Sequence, residues 1–165
     1  MKKFSDIAED NNLDLIPMRL DSADAFAKCM TGCTKVDVGC LIVTLSGEYI
    51  FGANIAVPDL CKTKRGCLRV EKYGDDSKNH RLPADCRAVH SEVHAICKAA
   101  KSGVSIAGAT IHVTRYPCEA CARAIVTAGI SKVYYGRQQE ISEETKAIFE
   151  SANVYCEWRA DWVLS

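Results

Sequence analysis

An excess of charge of either sign is missing from this chain: 21 lysines and arginines stand against 21 aspartates and glutamates. Without a basic surplus there is no general electrostatic grip on a polyanion, although a local basic groove stays open. Aromatic residues are few, at 7%, whereas single-strand binding relies on stacking platforms as well as on charge. Nucleic acid is therefore disfavoured as the main partner. No apolar run approaches the roughly 20 residues of a membrane helix. Met1 to Asn12 place Asp6, Glu9 and Asp10 where an export signal has its apolar core, so a reducing, cytoplasmic setting is expected. Internal repeats and low-complexity stretches are also lacking.

Cysteine, by contrast, is plentiful. Ten cysteines in 165 residues, 48% of them hydrophobic, would suit a disulfide scaffold only in a small secreted chain. This chain is long enough to bury a core, so one domain over residues 1–165 is expected, with its core at about 20–157 and a tail at 158–165. Metal ligation then explains the thiols better than disulfides do. Cys29, Cys40, Cys97 and Cys156 lie in apolar runs and read as small buried residues.

The hydrophobic pattern alternates between two periods. A helix is expected from Ser22 to Met30, then strands at Val38–Leu45 and Tyr49–Ile55 joined by a tight turn at Ser46-Gly47-Glu48. Residues 57 to 89 lose periodicity and read as a long loop, which would be odd unless functional or tied down. Helices follow at Ser91–Lys101, Cys118–Ala128 and Ser142–Ala152, and strands at Ala109–Thr114, Lys132–Tyr135 and Val154–Trp158. Strands alternating with helices after an opening hairpin indicate an α/β sandwich around a mixed sheet.

Two short motifs carry chemistry. His90-Ser91-Glu92 opens one expected helix, and Pro117-Cys118-Glu119-Ala120-Cys121 opens another. One imidazole and two thiols make three ligands, and a catalytic zinc needs its fourth position open. Helix starts favour thiolates, and thiols three residues apart share one helix face. Glu92 is then free to move protons. A C-x-x-C pair alone also serves redox and structural sites; with H-x-E upstream it matches the signature of zinc nucleobase deaminases. His90, Cys118 and Cys121 are accordingly the candidate zinc ligands and Glu92 the candidate catalytic residue.

Four further thiols, Cys33, Cys61, Cys67 and Cys86, lie in or near the long irregular segment, with His80 as a fifth candidate. A closed four-cysteine zinc would tie that segment down, and a second, structural zinc is expected there. For a phosphate, Lys35 and Arg115 are candidate cations. Tyr116 could stack on a ring or fill the core. Lys62-Thr63-Lys64-Arg65 could attract further phosphates.

From Cys33 to about Tyr135 the chain resembles the deoxycytidylate (dCMP) deaminases, especially the bacterial and phage branch with extra cysteines. The likeness rests on Cys33-Thr34-Lys35-Val36-Asp37-Val38-Gly39, Asn54, the Cys61–Cys67 region, Cys86 and Val113-Thr114-Arg115-Tyr116-Pro117-Cys118. Ala124 to Ile130 ahead of Val133-Tyr134-Tyr135 belongs to it too. The resemblance implies a cytidine-deaminase-like three-layer α/β/α sandwich around a mixed sheet of about five strands. It implies zinc-dependent hydrolysis of dCMP to dUMP and ammonia, with Asn54 touching the sugar or base. It also implies a homo-oligomer, commonly a hexamer, with dCTP and dTTP as candidate effectors.

The chain departs from that pattern at two places. His94 stands where the family usually has asparagine, so His94 becomes a candidate substrate contact. His-x-Glu-Val-His is similar to the riboflavin-pathway pyrimidine deaminases, but those separate their two cysteines by a longer insert. Ala53-Asn54-Ile55 replaces the family's Tyr-Asn-Gly turn. The alternatives are a deaminase accepting dCTP, a base deaminase acting on tRNA or single-stranded DNA, and a zinc-stabilised binding module. Glu92 argues against the last, since a purely structural site needs no proton shuttle. Trp158 and Trp162 in the tail are expected at an interface.

Overall fold

The computed structural model describes residues 14–33, 35–56, 66–74, 86–137 and 142–162. Helix α1 (Ile16–Met30) begins six residues before the expected Ser22. Asp14 Oδ1 accepts the Ile16 N–H at 2.9 Å and Pro17 sits in the first turn, where its missing N–H costs nothing. Leu20, Ala23, Asp24 and Ala27 recur at helical spacing and are its buried face.

Strands β1 (Gly39–Val43) and β2 (Tyr49–Ala53) form the expected antiparallel hairpin, with Gly47 N–H donating to Thr44 O at 3.0 Å in the turn. The chain then crosses to β5 (Thr110–Arg115), β6 (Lys132–Arg137) and β7 (Tyr155–Trp158), giving the sheet order β2-β1-β5-β6-β7. β1 runs antiparallel to β5, while β5, β6 and β7 are mutually parallel. The sheet is mixed and five-stranded, as expected.

Three corrections fall between β2 and the next long helix. The second expected strand is split: Ala53 ends β2, and β3 (Ile55–Ala56) leaves the sheet to pair with β4 (Ala88–Val89). The 57–89 segment, read as a loop throughout, contains α2 (Leu68–Tyr73) and β4. α2 buries no residue, so no amphipathic stripe announces it. Arg87 holds it instead, through Glu71 at 2.5 Å and the Gly66 carbonyl at 2.8 Å. Cys61, His80 and Lys62–Arg65 lie outside the described residues.

Helices α3 (Ser91–Ser102), α4 (Glu119–Thr127) and α5 (Glu143–Ser151) agree with expectation to within a residue or two. They cover one face of the sheet, where Ile42, Ile111, Val113 and Val133 pack on Ala95, Ala99, Ile125 and Phe149. α1 packs on the other face. It approaches so closely that a Cβ at Gly39 would lie 1.9 Å from the Ala23 carbonyl oxygen.

Of the four cysteines read as buried, Cys40 is buried and Cys156 half-buried, but Cys29 and Cys97 are exposed. Both sit on helices whose buried residues are others, Leu20, Ala23 and Ala27 in α1 and Ala95 and Ala99 in α3. The tail needs correction too. Trp162 is buried, its Nε1 donating to Asp21 at 2.7 Å and its ring lying under the Arg137 guanidinium, so it clasps α1 to β6. Trp158 remains 43% exposed while its Nε1 donates to Gly136 O.

Candidate metal centre and its cavity

The two motifs meet because each occupies a helix start. His90 is the N-cap of α3 and Cys118 the N-cap of α4, both with extended backbone. Cys121 follows one turn into α4. His90 Nδ1 lies 3.4 Å from Cys118 Sγ and 3.3 Å from Cys121 Sγ. All three ligand atoms lie within 4.8 Å of one another. Tetrahedral zinc with Zn–S near 2.3 Å and Zn–N near 2.05 Å would separate nitrogen from sulfur by about 3.6 Å. The donor set therefore fits zinc in both chemistry and span. Among the described residues no other three such side chains converge in this way.

Electrostatics favour a cation here. Cys118 is drawn down to about 4, chiefly by the hydrogen bond from Cys121 and then by His90. Cys121, donating to Cys118 and buried, is pushed up. His90 is raised to about 10 by Cys118 and next by Cys86, whose thiol also touches the imidazole. A metal ion bound among these groups displaces their protons, and its affinity falls with pH for that reason.

Glu92 lies 4% exposed in the first turn of α3. Burial raises its carboxyl above the ordinary value, opposed mainly by His90. Ser91, completely buried, donates its hydroxyl to Glu92 Oε2 at 2.9 Å. Cys40 Sγ lies 3.1 Å from the Ser91 carbonyl and fixes that turn to β1.

These groups open onto a cavity of about 470 Å³ whose lining includes His90, Glu92 and Cys118. That is within the range of small-molecule sites. Lys35, Asn54, Arg115 and Tyr116 also line it. Asn54 is mostly committed to the protein: Oδ1 accepts from Val38 N–H and Thr31 Oγ1, each at 2.9 Å, and Nδ2 donates to Val36 O at 2.9 Å. An amide has two N–H donors, so one is left to face a ligand. Tyr116 packs edge-on against Tyr135 at 4.8 Å, and burial raises its phenol to about 12.

His94 is not brought to the cavity. Its Nδ1 lies 3.1 Å from both the N–H and the carbonyl oxygen of Ala53, so the ring is engaged by β2 instead of facing a substrate. Burial lowers its pKa, favouring the neutral ring that accepting this N–H needs. Cys33, Cys67 and Cys86 do line the cavity wall, while Cys61 lies outside the described residues. Arg69, Arg87 and Ser91 line it as well and were not singled out from sequence. Ser91 was legible as the middle residue of the H-x-E motif; the arginines belong to the segment read as unstructured.

Comparison with known proteins agrees with this arrangement. Residues 19–137 match the cytidine and deoxycytidylate deaminase zinc-binding region. ComE operon protein 2 of Bacillus subtilis (strain 168) is 33% identical over 129 residues, 76% of this chain and 61% of that protein. The deoxycytidylate deaminase of Enterobacteria phage T2 is 51% identical over 47 residues, 28% of this chain and 25% of that protein. The chain thus aligns with less than two thirds of either relative. Among solved structures, the dCMP deaminase from the cyanophage S-TIM5 in complex with dCMP and dUMP has a TM-score of 0.64 at 23% identity, covering 96% of this chain and 99% of that one. That likeness establishes the cytidine-deaminase-like fold. The family match over 19–137, resting on a site that fits zinc, leads to one conclusion: this chain belongs to the cytidine and deoxycytidylate deaminase zinc-binding family.

Proposed function

We propose that the chain hydrolyses dCMP to dUMP and ammonia. The observation that carries this reading is the convergence of His90, Cys118 and Cys121 beside the buried Glu92 in one nucleotide-sized cavity. His90 Nδ1 and the Sγ atoms of Cys118 and Cys121 would hold the zinc. When bound, zinc supplies a Lewis acid that makes water nucleophilic at neutral pH.

The remaining work belongs to side chains. Glu92 takes a proton from the water that adds to C4 and delivers it to ring N3. It then takes the remaining proton from the C4 hydroxyl and passes it to the departing amine as the C4–N bond breaks and the C4 carbonyl forms, so carboxylate and carboxylic acid alternate within one turnover. A pKa raised by burial suits that alternation. The free N–H of Asn54 faces the sugar or base, Tyr116 packs on the ring, and Lys35 and Arg115 receive the phosphate. The likeness to phage deoxycytidylate deaminases supports a nucleotide substrate. No described helix is long and apolar enough to cross a membrane.

A second, structural zinc on Cys33, Cys61, Cys67 and Cys86 belongs to the same reading. Its support is that Cys33, Cys67 and Cys86 all line the cavity, although they do not converge as His90, Cys118 and Cys121 do. A cytoplasmic single-domain enzyme assembling as a homo-oligomer, hexamer foremost, with dCTP and dTTP as effectors, completes the proposal.

The test is ammonia release and the ultraviolet change on dCMP, dCTP, deoxycytidine and CMP, each given separately. Turnover of dCMP alone is the expected result. Comparable dCTP turnover widens the substrate class. Silence on all four with zinc bound removes the nucleotide assignment.

A further inference from the structure

Strand β2 is an outer strand of the sheet. Ala53, Phe51 and Tyr49 face Gly39, Leu41 and Val43 in register, and the Asn54 N–H reaches β1's preceding residue Val38 at 3.0 Å. In an antiparallel ladder this alternation turns the backbone groups of Phe51 and Ala53 outward. Such an edge invites foreign pairing unless it is covered.

Two side chains of α3, one turn apart, cover it. Lys98 Nζ donates to the Phe51 carbonyl at 2.7 Å, and His94 Nδ1 lies 3.1 Å from both the N–H and the carbonyl oxygen of Ala53, accepting the N–H in its Nε2-protonated tautomer. Between these two bonds stands Gly52, where a Cβ would lie 2.1 Å from the Ser91 carbonyl oxygen. Helix and strand are thus pressed together at the residue flanked by both contacts. Lys98 is held in place by the Phe26 ring, 5.2 Å away, and Phe26 stacks on Phe51.

The two elements so joined both lead into the lining of the cavity, α3 through His90 and Glu92 and β2 through Asn54. The Asn54 side chain bonds Thr31, Val36 and Val38. His94 and Lys98 do not line the cavity themselves. We propose that they form a two-rung clamp fixing the Asn54 wall at its distance from Glu92, with His94 as a positioning residue for nucleotide binding. The proposal rests on the deaminase reading above. His90 and Glu92 stay assembled without the clamp, because the thiols of α4 and the Cys40–Ser91 contact hold them. Its loss therefore falls on binding rather than on the chemical step.

The test combines steady-state kinetics on dCMP, zinc content and exchange of the Ala53 amide, on the full chain. His94→Ala should raise KM about tenfold, leave kcat within about twofold and speed Ala53 exchange about tenfold. Zinc content should not change. His94→Asn places an Oδ1 where Nδ1 stood and should return KM to within about threefold of the parent. Lys98→Met, which keeps the stem and removes one rung, should raise KM about threefold, and it decides the matter if His94→Ala does not fold. An unchanged KM in either variant, a fall in kcat with loss of zinc, or no rescue by asparagine overturns the clamp. If the parent itself does not turn over dCMP, the deaminase reading fails instead. The clamp then stands or falls on Ala53 exchange: faster in His94→Ala keeps it, unchanged removes it.

Discussion

The two faces of the sheet solve the problem of buried polar groups in opposite ways. On the face covered by α3, α4 and α5, the polar groups His90, Glu92, Cys118 and Cys121 gather at helix starts beside a cavity. They are left able to bind and exchange protons. On the face covered by α1, the polar groups are closed upon each other. Asp24, 4% exposed, takes Lys28 at 2.9 Å and Arg137 at 3.1 Å; Asp21 takes Trp162; Arg159 takes Asp14 and Asp161. Reactive groups sit where the backbone ends and supplies free N–H groups, while supporting charges neutralise in pairs. Variants in the His90–Glu92–Cys118–Cys121 cluster should change zinc or turnover, and variants on the second face only stability.

The largest effect is expected at Glu92. Glu92→Gln keeps the shape and the Ser91 contact but removes the proton carrier. It should lower kcat on dCMP about a thousandfold, with zinc content and KM nearly unchanged. Loss of zinc in this variant would make Glu92 a scaffold residue and erase the distinction between the faces.

Next comes the cavity wall. Cys67→Ala should lower total zinc by about half, from two ions to one, and destabilise the 66–74 segment while the His90 site stays loaded. Full metal content and unchanged stability in Cys67→Ala would remove the second zinc.

How much of this was legible in the sequence follows the same division. The candidate metal cluster was readable because its residues lie at the starts of two regular helices, where a spacing of two or three residues sets side-chain directions. The sheet was readable because its strands are short apolar runs bounded by glycine and serine. The 57–89 segment was not, since α2 buries nothing and is held by the Arg87–Glu71 pair, which leaves no periodic trace. His94 was misassigned for a related reason: one turn after a ligand, sequence places it on the ligand's helix face but cannot show that Ala53 reaches it first. Cys29 and Cys97 were misread because apolar neighbours mark a helix, not the side of it that is covered. The α1 face stayed hidden as well, because Thr110-Ile111-His112-Val113 reads as an ordinary strand.

His112 is the exception on that face, and it offers a sharper test. It is completely buried and stacked on Tyr134 at 5.5 Å; neither ring nitrogen makes a well-formed hydrogen bond, and the Leu41 backbone is the nearby group that most favours its proton. Burial, and next the nearby Arg19, lower its pKa to about 3 from an ordinary 6.5. Below pH 6.5 the unfolded chain takes up this proton and the folded chain does not. Stability is therefore whole above pH 6.5 and falls as pH drops toward 3, by about 2 kcal/mol between pH 6.5 and 5. His112→Phe keeps the ring and removes the titration. Urea unfolding should find the variant less sensitive to acid over that window and its turnover at pH 7.5 unchanged. A parent whose stability is flat from pH 6.5 to 5 would mean that the imidazole has a partner after all.

The smallest effect tests whether the first face separates support from chemistry within itself. Ser142 caps α5: its Oγ accepts the Thr145 N–H at 3.3 Å and donates to Glu119 Oε1 at 2.9 Å, so the cap of α5 is tied to the first residue of α4. Removing a serine N-cap leaves a helix N–H without its partner and costs about 1 kcal/mol. Ser142→Ala should lose that much in urea unfolding. Glu119 is exposed and directly follows Cys118, so the tie ends one residue short of the metal site. Zinc content and kcat should stay at parental values, because the thiols are placed by the α4 backbone and by His90. A drop in zinc affinity would show that the α5 cap reaches the ligands through Glu119, and would extend the reactive region from two helix starts to three.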